Sequence, residues 1–417
     1  MRNPDVLVVG SGPAGSVTAL LLARAGYAVR VLERGAHPRD KPCGDCLSAE
    51  ANRTLGRLGL LDGVTALAPA RLRGWRVISP GGHAMEAGFA AAAGGAAEVG
   101  HALAVRRARL DAVLAAAAVA AGAELLEGQT VEAPLLDGDR VVGVRVRTTD
   151  GRGQHRAAWT VDASGLRSPL ARRLGGVARA GRLRKLSLTA HVRGLPWADG
   201  LGRMYLAAGR CCGLAPVEDG AGRGATDVAW NLTLVTDSSR GGREVAADAR
   251  GFLHRTLGEI PALAAVADTL RYERHTDGGT LLASGPFDVP GRRATFAGAV
   301  LVGDAGGYYD PFTGQGIHHA LVSAEVLTEA LGAALSRGRT DAAALAGYAR
   351  FRRRTVGGAR RVQRVVEAVL ARPRLADAAL RRLGGAPRAA EALVAVTGDL
   401  RPPSALLRPS LALSLFR

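Results

Sequence analysis

The sequence predicts an α/β (α+β) fold in which a parallel βαβ domain is interrupted by an inserted antiparallel sheet and followed by a helical C-terminal region. Three observations point there. In three places an apolar, strand-like run ends in a glycine turn and opens a helix: after Val9, after Asp162 and after Val302. Between the second and third, from about Gly181 to Leu282, β-type segments dominate, and beyond Leu321 the pattern is helical.

Composition sets the outer limits. A chain of 417 residues, 47% hydrophobic and 4% aromatic, can bury a sizeable core and is expected to form two or three domains. The net charge is +18, yet Lys41 and Lys185 are the only lysines, so nearly all of it is arginine. The charge is uneven: Ala346 to Arg417 holds fifteen arginines against four acidic residues. Such a tail reads first as a solvated helix face. With no aromatic interleaving, nucleic acid is not expected as a partner, while peripheral membrane contact stays open. The first segment reads as a buried strand rather than a signal peptide, and the longest apolar run, near Val113 to Ala123, is too short to span a bilayer. Four cysteines and no signal peptide make a reducing cytoplasm the expected location.

The first glycine loop has the fullest context. Asp5-Val-Leu-Val-Val9 runs into Gly10-Ser-Gly12-Pro-Ala-Gly15, then a helical stretch from Ser16 to Ala25, then a second strand, Ala28-Val-Arg-Val-Leu32-Glu33. Gly10 permits the tight turn, Gly12 lets the backbone approach a pyrophosphate, and Gly15 allows close helix packing. Glu33 falls where a carboxylate grips a ribose hydroxyl, so the unit reads as a Rossmann-type dinucleotide site. His37 to Ala51 reads as a polar loop around Cys43-Gly-Asp-Cys46. A CxxC can bind zinc or cycle as a redox pair, but zinc needs two more ligands and the adjacent Cys211-Cys212 is not a second CxxC. Reduced thiols near the nucleotide, and no metal site, are the expectation.

Ala70 to Phe89 reads as a hairpin turning at Pro80-Gly81-Gly82. Val105 to Asp111 then opens an alanine-rich helix that stops at Gly122, with Arg107 and Arg109 at its start. Ala123 to Val146 carries strands around Asp137-Gly138, and Thr160-Val-Asp162-Ala-Ser-Gly165 leads into a helix over Pro169 to Leu174. Leu186 to Val192, Arg210 to Val217, Asp227 to Thr236 and Thr280 to Leu282 read as strands, interrupted by one helical interval from Glu244 to Leu257. In Leu301 to Leu321, Gly303-Asp304 closes a strand, and Gly314-Gln315-Gly316 starts a helix whose N-terminus favours negative charge. His318 and His319 sit one turn in, as solvated or capping residues or as an acid or base. Val362, Val365, Val366, Val369 and Leu370 are spaced as one apolar face. Ser404 to Phe416 is apolar and expected to pack on the protein ahead of resting on a membrane surface.

In this order and at these intervals, the Gly10 to Glu33 unit, the Asp162-Ala-Ser-Gly165 turn and Gly303-Asp304 resemble the FAD-dependent oxidoreductases of the p-hydroxybenzoate hydroxylase fold. Lys41-Pro-Cys43-Gly44 and Asp310-Pro311-Phe-Thr-Gly314-Gln-Gly316 look most like its geranylgeranyl reductase and tailoring-enzyme branch. The resemblance implies that Gly10, Gly12 and Gly15 hold the FAD pyrophosphate and that Glu33, with Arg34 beside it, takes the adenosine ribose. It implies that Arg107 lies on the FAD, that Asp304 binds its ribityl or pyrophosphate region, and that Pro311, Gly314, Gly316 and Ile317 border the isoalloxazine, with His318 as a candidate acid or base. Ser164 departs from the family's common Asp-Gly form, which weakens the inference that this turn seats a nicotinamide. Flavin-dependent halogenases carry a Trp-x-Trp-x-Ile-Pro element. Here Gly74-Trp75-Arg-Val-Ile78-Ser-Pro80 lacks the second Trp, which argues against halogenation.

The expected organisation is a discontinuous Rossmann-type FAD-binding domain (1–70, 101–180 and 290–345), an inserted antiparallel β-sheet substrate domain (71–100 and 181–289) and a C-terminal helical region (346–417). The expected function is a monooxygenase of secondary metabolism. A flavin C4a-hydroperoxide would hydroxylate a small, largely apolar, aromatic or polyketide-type metabolite, with molecular oxygen as co-substrate and NAD(P)H as transient reductant. Two other readings stand beside it: reduction of a C=C bond in an isoprenoid or polyketide, and a non-enzymatic flavin-binding module.

Overall fold

A computed structural model describes residues 3–92, 100–178, 184–207, 209–218, 220, 224–311, 314–398, 400–401 and 404–405. Its first domain is built on a six-stranded sheet in the order Thr295–Phe296, Ala299–Leu301, Trp159–Asp162, Val6–Val9, Val29–Leu32 and Glu124–Leu126. Only the first pair, a hairpin, is antiparallel. Val6–Val9 lies inside this sheet and every residue of it is buried, which is why the strand is apolar throughout rather than alternating.

The register sets the site. Val9 pairs with Leu32 and with Asp162, and Asp162 with Leu301, so four strands end level with one another. The loops at Gly10, Glu33, Ala163 and Gly303 therefore emerge side by side along the carboxyl edge of the sheet, where open α/β sheets bind ligands. Helix Pro13–Arg24 packs between helix Gly316–Leu335 and helix Arg107–Ala120 over one face. A three-stranded meander, Thr130–Asp137, Arg140–Thr148 and Gly151–Arg156, covers part of the other.

The inserted sheet has eight strands. Seven run in the order Arg271–Tyr272, Lys185–Arg193, Trp230–Asp237, Arg210–Pro216, Leu201–Ala207, Gly74–Ile78 and Ala84–Gly88, and Leu282–Ser284 also pairs with Lys185–Arg193. The hairpin at 74–88 thus joins strands from 185 onward. It does so through one parallel seam between Leu201–Ala207 and Gly74–Ile78; the other pairs are antiparallel. Strand Lys185–Arg193 alternates: Leu188, Ala190 and Val192 enter the core under helix Ser238–Gly258, while Ser187, Thr189 and His191 face the first domain's carboxyl edge.

Several local expectations change. His37 to Ala51 is not one loop: Cys46–Leu47 is a strand, and Ser48 caps a helix over Ala49–Arg57 by accepting from the Ala51 amide at 3.2 Å. The helical interval near Glu244 spans Ser238–Gly258 with a break at Asp248, and a second helix, Pro261–Ala267, follows it. Strands Leu201–Ala207 and Arg271–Tyr272 were not expected. Helix Ala346–Leu370 does not bury the whole valine face, because Val365 is 66% exposed. Most of the apolar stretch Ser404 to Phe416, from residue 406 on, lies outside the described residues.

Candidate functional site

The first glycine loop is shaped by contact, not by composition alone. Gly10 has φ of +91°, and a Cβ on Gly15 would meet the Gly10 carbonyl oxygen at 1.9 Å, so helix Pro13–Arg24 approaches its strand only because Gly15 has no side chain. A Cβ on Gly12 would lie 3.8 Å from the Arg107 guanidinium, which places that arginine beside the loop. Arg107 is buried and pairs through two N–H···O bonds of 2.8 Å with Asp111, one turn along its helix. Burial opposes its charge, but Asp111 outweighs that and raises its pKa.

Glu33 is buried at the end of its strand. One carboxylate oxygen accepts from the Ser11 amide and hydroxyl, both at 2.8 Å, and from Arg39 at 3.0 Å. Burial alone would raise its pKa; Arg39 and hydrogen bonds from Ser11 and Gly35 outweigh it and lower the carboxyl to about 2. Arg34, named with Glu33 from the sequence, is exposed and turned to solvent; Arg39 bridges Glu33 and Asp111 instead.

Beside these residues on the same edge lies the Gly303–Gly316 segment. Gly303 and Gly314 have φ of +60° and +69°. Asp304, Tyr308, Pro311, Gly314, Gly316 and Ile317 all line one open cleft, together with Gly12, Lys41, Cys43, Arg107 and Gly165. Phe312 and Thr313 lie outside the described residues. Residues spread over three hundred positions of sequence thus share one cavity. His318 does not line it, and His319 lines a smaller neighbouring cavity behind Asp304 and Gly316.

The far wall is the polar face of the inserted sheet, Ser187, Thr189 and Thr233, with Ser284 and Phe287. The next polar positions along the same strands reach past the cleft wall. His191 Nε2 lies 2.7 Å from the buried Asp45 carboxylate, and Asn231 donates to Asp45 at 2.8 Å and to the Cys43 carbonyl at 2.7 Å. Asp45 also accepts from the Arg107 amide at 3.1 Å. The Cys43–Cys46 loop is therefore held from both domains. Burial pushes both of its thiols up, and no group of three or more His, Cys, Asp or Glu residues suited to a metal ion occurs among the described residues. Burial likewise raises the Tyr308 phenol, with Asp304 and Asp310 adding to the shift. Burial and Arg107 lower Lys41.

Sequence reasoning did not find Lys41 as a lining residue, Tyr308, Arg39, or the sheet residues. For the sheet the signal was present: Ser187-Leu-Thr189-Ala-His191 and Asn231-Leu-Thr233-Leu alternate polar and apolar, the mark of a strand with one face on a core and one on a cavity.

The cleft suits FAD on three counts. A glycine loop from Gly10 to Gly15 has a turn and a helix approach that leave no room for a Cβ at Gly10 or Gly15, an arginine stands beside it, and the buried Glu33 lies at the end of the neighbouring strand. Residues 3–223, more than half of the chain, match the family described as FAD binding domain. The chain belongs to this family of FAD-dependent oxidoreductases. FAD is its cofactor, and its architecture is the p-hydroxybenzoate hydroxylase fold.

Among similar members, digeranylgeranylglycerophospholipid reductase 2 of Methanopyrus kandleri is 28% identical over 82% of this chain and 81% of its own. Menaquinone reductase of Mycobacterium tuberculosis is 38% identical over 42% of this chain and 40% of its own. Conditioned medium factor receptor 1 of Dictyostelium discoideum is 28% identical over 78% of this chain, which spans 63% of that receptor's length. The myxobacterial chondrochloren halogenase superposes with a TM-score of 0.76 at 23% identity over 86% of this chain and 80% of its own, a likeness of fold. No helix among the described residues is long and apolar enough to cross a membrane.

Proposed function

We propose that this family member reduces a C=C bond in an apolar isoprenoid- or quinone-like molecule that carries a hydrogen-bonding oxygen, using FAD reduced by NAD(P)H. In this reading Gly10, Gly12 and Gly15 hold the pyrophosphate, Arg107 lies along it, Glu33 stands at the adenosine end, and Asp304 takes the ribityl hydroxyls. Bound FAD supplies the redox chemistry, two electrons to the substrate or, with oxygen, an oxygen atom.

The observation that carries the reading is the pairing of two protonated donors in the cleft. Saturating a double bond requires a proton on one carbon, and the Tyr308 hydroxyl and Cys43 thiol both line the cavity with pKa values raised by burial, so each keeps its proton at neutral pH. Ser187 offers a hydroxyl to a substrate oxygen, the Thr189 and Thr233 hydroxyls are bonded to each other at 3.0 Å, and Phe287 and Ile317 cover apolar surface. The reductases among its relatives support the same choice.

Hydroxylation of a small apolar metabolite is the second reading. It is favoured by the helix start at Gly316 and Ile317, whose backbone N–H groups border the cleft and can stabilise negative charge at the edge of a bound ring. The deciding experiment is product mass from purified, FAD-loaded protein with NAD(P)H and candidate polyenes, quinones and phenols, with and without oxygen. A gain of two hydrogens under anaerobic conditions, slowed on the order of 100-fold in Tyr308→Phe, supports reduction. A gain of one oxygen atom, in air only, replaces it with hydroxylation.

A further inference from the structure

Helix Ala346–Leu370 has two faces with different partners. Its inner face is tied to the Leu301–Asp310 segment. Tyr348 donates to the Leu301 carbonyl at 2.8 Å, Arg352 to the Gly303 carbonyl at 2.7 Å, and Gln363 to the Asp310 carbonyl at 3.3 Å; Glu367 pairs with Lys185, which also lies 3.5 Å from Asp310. Its outer face carries Arg350, Arg353, Arg354, Arg361 and Arg364, all exposed and spaced three, four or seven residues apart, as one stripe along a helix of about 37 Å. The next helix, Pro373–Gly384, follows Arg372 and carries Arg374, and both of these are exposed as well.

The stripe has no counter-charge of its own. Among the described residues none of those five arginines pairs with a carboxylate. The two acids carried by these helices are committed elsewhere, Glu367 to Lys185 and Asp377 to the Gly81 amide at 2.7 Å. Within the stripe stands Val365, 66% exposed, and beside its end Leu375, 45% exposed; these are two of the four large hydrophobic residues most open to solvent among the described residues. The sequence beyond runs through Leu406, Leu407, Leu411, Leu413, Leu415 and Phe416.

We propose that the outer face of helices Ala346–Leu370 and Pro373–Gly384 docks on an anionic phospholipid surface. Unpaired arginines complement lipid phosphates and attract the helix to the interface, and aliphatic side chains placed between them enter the boundary between headgroups and acyl chains. A polyanion such as duplex DNA would satisfy the charges but gain nothing from Val365 and Leu375. Docking on this face sets the flavin-facing segment about one helix diameter, roughly 10 Å, from the headgroups. The inference stands on this surface alone and holds whichever substrate the cleft takes.

The test is flotation of FAD-loaded, full-length protein with vesicles of phosphatidylcholine alone and of phosphatidylcholine with phosphatidylglycerol, at low and high salt. Binding is expected to the anionic vesicles only, to weaken with salt, and to fall on the order of 100-fold in the triple variant Arg354→Gln, Arg361→Gln, Arg364→Gln. That variant is expected to keep its FAD content and melting temperature, which separates lost docking from lost folding. Val365→Ser alone is expected to lower binding several-fold, and it serves as the reporter if the triple variant does not fold. Equal binding to neutral vesicles, unchanged binding in these variants, or capture of duplex DNA in place of vesicles overturns the proposal.

Discussion

Two glycine loops lie side by side along the same edge of the cleft and are held in opposite ways. The Gly10–Gly15 loop is fixed from within: its turn, its close helix approach and its acidic neighbour Glu33 all fall inside one βαβ unit. The Gly303–Gly316 segment is fixed from outside, by Arg352 and Gln363 on a helix about fifty residues later and by Lys185 more than a hundred residues earlier. Where a loop is held by its own neighbours, a short motif describes it. Where distant side chains hold it, the motif marks the place and leaves its anchoring unseen.

Substitutions separate the two modes. The largest effect is expected from Gly15→Val, because its side chain would enter space taken by the Gly10 carbonyl. A loss of about 3 kcal/mol or more in urea unfolding, with no retained flavin, is expected. Normal flavin content in that variant would show that the helix can retreat and that the loop is not fixed from within. Asp304→Ala on the second loop is expected to leave the fold standing and weaken FAD by about 1.5–3 kcal/mol for each hydrogen bond lost, read by equilibrium dialysis. Tight, full occupancy would remove Asp304 from the site.

The smallest effect concerns Glu33 and pH. With its pKa lowered from 4.5 to about 2, Glu33 contributes stability that is fully present above pH 4.5 and is lost as the pH falls towards 2. Glu33→Gln is therefore expected to flatten the stability curve between pH 4.5 and pH 3 by about 2 kcal/mol, measured by chemical denaturation. An unchanged slope would mean that Arg39 and Ser11 do not hold the carboxylate in its charged form.

Much of this molecule was legible in the sequence. The three glycine turns, the inserted sheet and the return to the first domain follow from period and punctuation, and Gly12, Arg107, Asp304, Pro311, Gly314, Gly316 and Ile317 share one cavity. The misses have a common physical origin. Arg39 was missed because side-chain direction in a loop is set by tertiary partners, here Glu33 and Asp111. Val365 matched a helical apolar period, yet period alone cannot say which face meets the core when the inner face is built from polar ties such as Arg352 and Gln363. The grip of His191 and Asn231 on Asp45 spans about 150 to 190 residues, beyond any local pattern.

The parallel seam between Leu201–Ala207 and Gly74–Ile78 also bears on how the chain is made. The hairpin at 74–88 leaves the ribosome long before its partner strand does, and the central sheet likewise waits for Ala299–Leu301 to reach the far side of Trp159–Asp162. A nascent chain ending near Arg193 therefore carries two sheets with bare edges, open to pairing with other chains. Long-range pairing of this kind is slow to form, and those edges stay a liability until their partner strands have been made.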